Sequence, residues 1–105
     1  MNQEEFFKFI EETYAEALSI TKKKNADYAD GADPFKNFKM SELIGVTPER
    51  AILVRISDKM ARVSNLLLPG KEAKVKDETI QDTILDMINY LAILRALIEN
   101  NKPHN

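Results

Sequence analysis

The sequence predicts an all-α domain with four helices. Three Gly and four Pro among 105 residues leave little room for the turns of a β protein. Apolar residues also recur at helical spacing in long segments, and residues typical of helix starts and stops flank these segments. A chain of this length suits one domain with a modest core, so we predict a single domain over residues 1–105.

The first helix is predicted over residues 3–23. Asn2 followed three residues later by Glu5 resembles a capping box, in which each residue hydrogen-bonds the backbone of the other. A stripe at helical spacing then follows: Phe6, Phe7, Ile10, Tyr14, Ala17 and Leu18. We expect this stripe to face the core.

A loop is predicted next, because Asn, Asp, Gly and Pro are dense between Lys22 and Phe38. Long loops in compact domains are often functional. Four of its side chains offer a cation, an amide, a carboxylate and an aromatic face to a nucleotide: Lys24, Asn25, Asp27 and Tyr28. The alternative is a turn with local Asx hydrogen bonds. A short helix over residues 35–43 follows, with Gly45 placed to end it.

The third helix is predicted over residues 48–67. Thr47, Pro48 and Glu49 give an N-cap, a proline at the first helical position and an acid in the first turn, and Pro69-Gly70 stops the helix. Its predicted core stripe is Leu53, Ile56, Met60, Val63 and Leu67. Another face carries Arg55, Asp58, Lys59 and Arg62. This charged face is either a salt-bridged surface or the partner of the acidic strip described next.

The last helix, predicted over residues 77–100, carries an acidic strip. Glu78, Asp82, Asp86 and Asn89 fall within an arc of roughly 80°. No Lys or Arg lies three or four residues from Asp82 or Asp86, so a group outside the helix should compensate their repulsion. A divalent cation would do so, and a solvated surface is the alternative. The opposite side is apolar: Ile80, Ile84, Met87, Ile88, Leu91, Leu94 and Ile98.

Composition excludes several kinds of site. No Cys is present, which rules out disulfides and thiolate metal sites and suits a reducing cytoplasm. The single His104 lies in the tail, so no His-based triad is available. A formal charge of −2 argues against a nucleic-acid partner. No signal peptide or apolar run of about 18 residues is present, so we expect a cytoplasmic protein with no membrane partner.

Four motifs occur in order between residues 24 and 94. They are Lys24-Asn25-x-Asp27-Tyr28, Asn37-Phe38, Arg55-x-x-Asp58-Lys59-x-x-Arg62 and Glu78-x-x-x-Asp82-Thr83-x-x-Asp86-x-x-Asn89-Tyr90. In this set and order the chain resembles the nucleotide-modification-associated family of phages and bacteria. That family is related to the all-α NTP pyrophosphohydrolases, which include MazG-like proteins and dimeric dUTPases.

The resemblance implies a four-helix arrangement that forms homodimers or homotetramers and cleaves a nucleoside triphosphate to monophosphate and pyrophosphate. It implies Mg²⁺ (or Mn²⁺) bound by Asp82 and Asp86, with Glu78 and Asp58 direct or through water. Glu78, Asp82 and Asp86 would be the catalytic acids. The expected substrate-binding residues are Lys24, Asn25, Asp27, Tyr28, Asn37, Phe38, Arg55, Lys59, Arg62 and Asn89.

Two other functions fit the same sequence. MazG-like enzymes carry a Glu-x-x-Glu pair and a Glu-x-x-Asp pair, whereas here Arg55 stands three residues before Asp58 and Thr83 three before Asp86. This departure favours a non-catalytic nucleotide-binding or sequestering protein. A structural helical oligomer is the third hypothesis, because the stretch LAILRALI is apolar nearly all round and needs more than one neighbour.

Overall fold

A computed structural model describes residues 1–28, 33–74 and 78–103, without the side chains of Asp27 and Tyr28. These residues form α1 (Gln3–Tyr28), the 3₁₀ helix η1 (Phe38–Ile44), α2 (Pro48–Leu66) and α3 (Ile80–Asn100), and no strand. The prediction of an all-α chain with four helices is therefore confirmed. None of the helices in these ranges has the length and apolar character needed to cross a membrane.

α1 begins at the predicted capping box. The Asn2 side-chain oxygen accepts a hydrogen bond from the Glu5 backbone N–H at 2.8 Å, and Glu5 accepts one from the Asn2 N–H at 3.4 Å. The predicted end at residue 23 is wrong, because the helix continues to Tyr28. Residues 24–28 are therefore helical and not part of a loop. Local propensity does not explain the extension, because Asn25, Asp27 and Tyr28 are weak helix formers, but Lys24 is held by an ion pair to α3.

The second element differs from the prediction in type. Residues 38–44 form a 3₁₀ helix and not the α-helix predicted over residues 35–43. Gly45 ends it as expected, with φ of 77° and its N–H donated to the Glu42 carbonyl. The Ser41 hydroxyl also donates a hydrogen bond to the Val46 carbonyl at 2.8 Å. These local bonds hold a tight turn that fixes the entry into α2.

α2 and α3 begin at threonine caps. Thr47 accepts a hydrogen bond from the Arg50 N–H at 3.4 Å, which confirms the predicted start of α2, and the helix ends at Leu66. α3 begins at Ile80 behind Thr79, three residues later than predicted, and ends at Asn100 as predicted. Residue 77, the predicted first residue, lies outside the described ranges.

α2 and α3 form an antiparallel pair. Asn101 donates a hydrogen bond to Glu49 at one end of the pair, and Arg62 contacts Glu78 at the other. Between these contacts a buried cluster of Ile52, Ile56 and Leu97 forms the centre of the core. α1 packs on α3 and η1 packs on α2, whereas the described parts of α1 and α2 make no close backbone approach to each other.

The buried faces of α2 and α3 differ from the predicted stripes. Ile52 is buried on α2, while three predicted core residues are at least half exposed: Leu53, Met60 and Leu67. On α3, Leu85 and Leu97 are buried, and Ile84, Leu91 and Ile98 are exposed. α2 turns its basic face toward the acidic strip of α3, so each helix presents a mixed face to its neighbour and leaves an apolar flank outside.

α1 also exposes most of its predicted core stripe. Ala17 is the one buried apolar side chain among those described on this helix, whereas Phe6, Phe7, Tyr14 and Leu18 are 47–62% exposed. The helix contacts only α3 among the other helices, so its length exceeds what one neighbour covers. The radius of gyration of 16.0 Å also exceeds the roughly 13 Å of a compact domain of this size. A single chain thus leaves much apolar surface unpartnered.

Candidate functional site

A groove of about 690 Å³ lies between α1, α3 and the segment before η1. Its walls are mostly apolar and aromatic, with a few polar side chains at one end. Among the lining residues are Tyr14, Leu18, Lys24, Asn25, Phe35, Asn37, Phe38, Arg55, Asp86, Asn89, Tyr90 and Ile93. A concave, mainly apolar site with a few convergent polar groups is typical of small-molecule binding.

Many of the sequence-predicted site residues meet in this groove. Six of the ten predicted substrate-binding residues line it, together with one of the predicted acids. The six are Lys24, Asn25, Asn37, Phe38, Arg55 and Asn89, and the acid is Asp86. They come from four different elements, so the fold brings together motifs that are up to about sixty residues apart in the chain.

The groove is graded along α3. Asp86 lies at its charged end, Asn89 is about one turn further on, and Ile93 and Ala96 continue the wall with apolar side chains. The side-chain amides of Asn25 and Asn89 have no hydrogen-bond partner among the described residues. An amide in an apolar groove is costly to leave unpaired when a ligand excludes water. The arrangement therefore suits a ligand with a charged end, a hydrogen-bonding middle and an apolar or aromatic part.

Two lysines hold Asp86. Lys24 Nζ lies 3.2 Å from Oδ1, and Lys59 Nζ lies 3.4 Å from Oδ2. The Asp86 side chain is only 22% exposed, so the pairs are partly shielded from water. The group that compensates this acid in the described structure is thus a pair of ammonium ions from α1 and α2.

The two arginines of the charged face, Arg55 and Arg62, also face inward. The Arg55 guanidinium lies 5.0 Å from the centre of the Phe38 ring, a cation–π contact that fixes both side chains at the groove wall. Arg62 lies 3.8 Å from the Glu78 carboxylate and also contacts the Glu78 carbonyl. The charged face therefore lies opposite the acidic strip and forms ion pairs with it, whereas Asp58 is exposed.

Asp82 caps its own helix. Its carboxylate accepts hydrogen bonds from the Thr79 hydroxyl at 2.6 Å and from the Thr79 N–H at 3.1 Å, while Thr79 accepts one from the Asp82 N–H. These bonds hold the pKa of the Asp82 carboxyl below its usual value, and the bond from the Thr79 hydroxyl has the larger effect. A carboxyl group whose pKa is lower in the folded protein stabilises the fold at pH values above its unfolded pKa of about 3.9. This contribution is lost as the pH falls through the folded pKa.

The Thr79→Ala variant should therefore lose stability at neutral pH and lose less in acid. We expect a deficit of about 0.5–2 kcal/mol near pH 7, the usual cost of removing an N-cap. The deficit should shrink as the pH falls from about 5 to 2, because the Asp82 carboxylate then takes up a proton in the wild type too. Urea unfolding followed by circular dichroism across this pH range measures both values.

Thr47→Ala is the matched control. Thr47 caps α2 in the same way, but the residue at the matching position is Arg50 and not an acid. Its deficit should stay constant over the same pH range. An equally constant deficit for Thr79→Ala would contradict the assigned role of the Asp82 carboxylate.

The four predicted metal ligands do not come together in one chain. No group of three or more acidic or histidine side chains able to hold a metal ion occurs within residues 1–28, 33–74 and 78–103. Asp58 is exposed, Asp82 is engaged with Thr79, and Glu78 faces Arg62. Asp86 is the one predicted ligand that lines the groove. The side chains of Asp27 and Tyr28 lie outside the described part of the chain.

Several groove residues were missed by sequence reasoning. Tyr14 and Leu18 were predicted to lie in the core, yet they line the groove and are more than half exposed. Phe35, Tyr90 and Ile93 line it as well. One signal was present for the role of Asp82: a threonine three residues before an acid, directly ahead of an apolar run, is a capping-box pattern.

The chain was compared with protein-family models, with curated proteins and with solved structures. None of the three comparisons gave a match.

Proposed function

We propose that the protein is a nucleoside triphosphate pyrophosphohydrolase that converts an NTP or dNTP to the monophosphate and pyrophosphate. The observation that carries the proposal is the graded groove, in which cations from α1 and α2 stand at one end and amide and aromatic side chains continue the wall. Lys24 and Arg55 line this end, and Lys59 reaches it through its ion pair with Asp86. A nucleotide has the same order of chemistry, from phosphates through sugar to base.

The residues of this chain have separable roles in the proposal. Lys24 and Lys59 bind phosphate oxygens, since phosphoryl chemistry is catalysed mainly by positioning and electrostatic stabilisation. Asn25 and Asn89 donate to or accept from the sugar or base, and the aromatic rings of Phe38 and Tyr90 pack against it. Asn37 adds a third amide at the same wall.

A divalent cation enters this proposal together with the substrate. Mg²⁺ is commonly bound by one or two carboxylates and by substrate phosphates, with water in the other positions. Asp86 would contact an Mg²⁺ or Mn²⁺ complex of the triphosphate, and the ion would offset phosphate charge. Glu78, Asp82 and Asp58 remain predicted ligands, and we assign no step to a preassembled metal centre.

A second candidate function is nucleotide binding without turnover. The ion pairs of Asp86 favour it, because this carboxylate is the one acid among the described residues of the groove lining and lysines engage both its oxygens. Such a site would hold phosphates and lack a free carboxylate to activate water. The same nucleotide contacts would then serve sequestration or regulation.

Product analysis distinguishes the two. The purified protein is incubated with each common NTP and dNTP in Mg²⁺, in Mn²⁺ and in EDTA, and the products are separated by chromatography. Monophosphate and pyrophosphate that form only with metal support the enzyme. A nucleotide recovered intact, yet bound, supports the binding protein, and diphosphate with inorganic phosphate would contradict the proposed reaction.

A double variant guards against contaminating phosphatases. Lys24→Ala/Lys59→Ala, purified in the same way, should lose at least about a hundredfold in turnover, because both proposed phosphate contacts are gone. Full activity in this variant would show that the products come from another protein or another site.

The proposal includes a homodimer. Leu53, Met60 and Leu67 follow one another at seven-residue spacing on and just after α2, and Ile84, Leu91 and Ile98 do so on α3. Each stripe lies about a quarter turn from the line where α2 and α3 touch. Because the helices are antiparallel, the two stripes lie on the same side of the α2–α3 pair, the side opposite α1. We call these six residues the outer apolar face.

The outer apolar face is suited to a copy of itself. Seven-residue spacing gives an apolar seam that persists along a helix and packs against a similar seam. A closed two-fold contact, in which the same face is used by both subunits, is the commonest way for such a surface to be covered. Two α2–α3 pairs would then form a four-helix core. A tetramer would additionally use the exposed apolar residues of α1.

A further inference from the structure

Asp86 and two lysines form a charge cluster at the groove. Each carboxylate oxygen has its own lysine, with Oδ1 at 3.2 Å from Lys24 and Oδ2 at 3.4 Å from Lys59. The lysines come from α1 and α2, so the carboxylate on α3 is what draws two like charges together. Without it, repulsion would separate the two ammonium groups.

The cluster carries an excess of positive charge. Two lysines against one aspartate leave one net positive charge, and Arg55 in the same groove wall adds another. Lys24 is 55% exposed and Lys59 is 28% exposed, so both can be reached by a ligand. A polyphosphate is therefore attracted to this end of the groove by the protein alone.

Phosphate and Asp86 must compete for the same donors. A lysine ammonium carries three N–H groups and could bind two oxygens at once. A phosphate oxygen that takes the partly shielded position of the Asp86 carboxylate nevertheless replaces the ion pair between Asp86 and that lysine. The cost of breaking the two Asp86 pairs is thus subtracted from the gain of the two phosphate contacts.

We propose that Asp86 is an internal competitor of phosphate: it positions Lys24 and Lys59, and it yields them when a polyphosphate binds. This inference rests on the proposed nucleotide groove and adds two properties to it. The phosphate end is bound without a divalent cation, and the Asp86 carboxylate sets the affinity lower than the lysines alone would give.

Inorganic tripolyphosphate is the probe, because it tests the phosphate end without a base and in the presence of EDTA. Binding is measured by isothermal titration calorimetry. We expect the wild type to bind, and Asp86→Asn to bind roughly three- to tenfold more tightly, as expected when two partly exposed ion pairs no longer have to be broken. Lys24→Ala and Lys59→Ala should each bind about tenfold more weakly.

Two further variants separate this effect from damage or from net charge. Glu99→Gln makes the same change of charge on the same helix, but its ion pair is with Lys102 at 2.9 Å, so its affinity should equal that of the wild type. Asp86→Glu restores the carboxylate and should restore the affinity. Circular dichroism of each variant checks that the helices are retained.

Other results would overturn the inference. They are wild-type binding that requires Mg²⁺, an Asp86→Asn affinity that is unchanged or lower, or an equal gain in Glu99→Gln. None of these depends on turnover. A protein that hydrolyses nucleotides but binds tripolyphosphate only with Mg²⁺ would refute the inference alone, whereas metal-free tripolyphosphate binding without hydrolysis would refute only the enzymatic proposal.

Discussion

Ile52→Ala is expected to lose about 2–5 kcal/mol of unfolding free energy, the usual range for removing a buried aliphatic side chain and leaving a cavity. Ile52 is completely buried and packs in the cluster with Ile56 and Leu97. Ala17 and Leu85 are the other buried apolar residues in the described chain. With so few members, the core has little capacity to relax around the cavity. A domain of this size has about 5–15 kcal/mol in total, so the loss is a large part of it.

Val54→Ala is the control on the same helix. Val54 is 59% exposed and lies outside both the core and the outer apolar face, so its loss should stay within about 0.5 kcal/mol. Urea unfolding at one fixed protein concentration compares the two variants, since a dimer makes stability depend on concentration. Similar small losses in both would show that Ile52 does not occupy the packing centre.

Leu91→Glu should raise the dimer dissociation constant by at least about a hundredfold. Leu91 is 52% exposed in one chain and lies at the middle of its stripe on α3. A two-fold contact buries this residue twice, and each buried leucine contributes about 1.5–3 kcal/mol. Every 1.4 kcal/mol is a factor of ten in affinity, and the new charge adds a desolvation cost. Analytical ultracentrifugation over a concentration series measures the change.

Phe7→Glu tests whether the location is right. Phe7 is 58% exposed on α1, and α1 lies away from the outer apolar face. The variant should keep the α2–α3 dimer, although it would break a tetramer that uses α1. A wild-type protein that stays monomeric at micromolar concentration would contradict the dimer itself, and dissociation by Phe7→Glu alone would move the interface to α1.

Three helix boundaries were predictable because their caps are local, although the equally local cap at Thr79 was not recognised. Asn2 with Glu5, Thr47 with Pro48, and Gly45 each act within a few residues, and each was found where the sequence placed it. The end of α1 was missed for the opposite reason. Lys24 is held by Asp86, which is 62 residues away along the chain, so no local pattern reveals this contact.

The orientation of α2 and α3 was not predictable from apolar periodicity. Both helices carry more apolar residues than one face can hold. The apolar pattern therefore predicts a helix, but it does not predict which side of the helix the same chain buries. In the structure Ile52 and Ile56 are buried against Leu97, and two ion pairs join the same sides of the helices: Lys59 with Asp86, and Arg62 with Glu78. The basic side of α2 therefore faces α3, and Leu53 and Leu91 are exposed.

The candidate site was predicted in part. The order of the motifs predicted six residues that line the groove, because the elements that carry them pack together. The assignment of acids was harder, because a carboxylate can bind a metal, a lysine or its own helix start with the same atoms. Asp82 illustrates this, because the same carboxylate fits a metal ligand on the acidic strip and a capping box with Thr79, and the structure shows the capping box.

The one-sided attachment of α1 has a consequence for the order of folding. α2 and α3 are neighbours in sequence and touch along their lengths, so their hairpin closes a short loop and should form early. α1 can dock only afterwards, and the groove exists only once it has docked. A ligand in the groove should therefore slow amide hydrogen exchange most in the second half of α1, which makes that helix the natural reporter of occupancy.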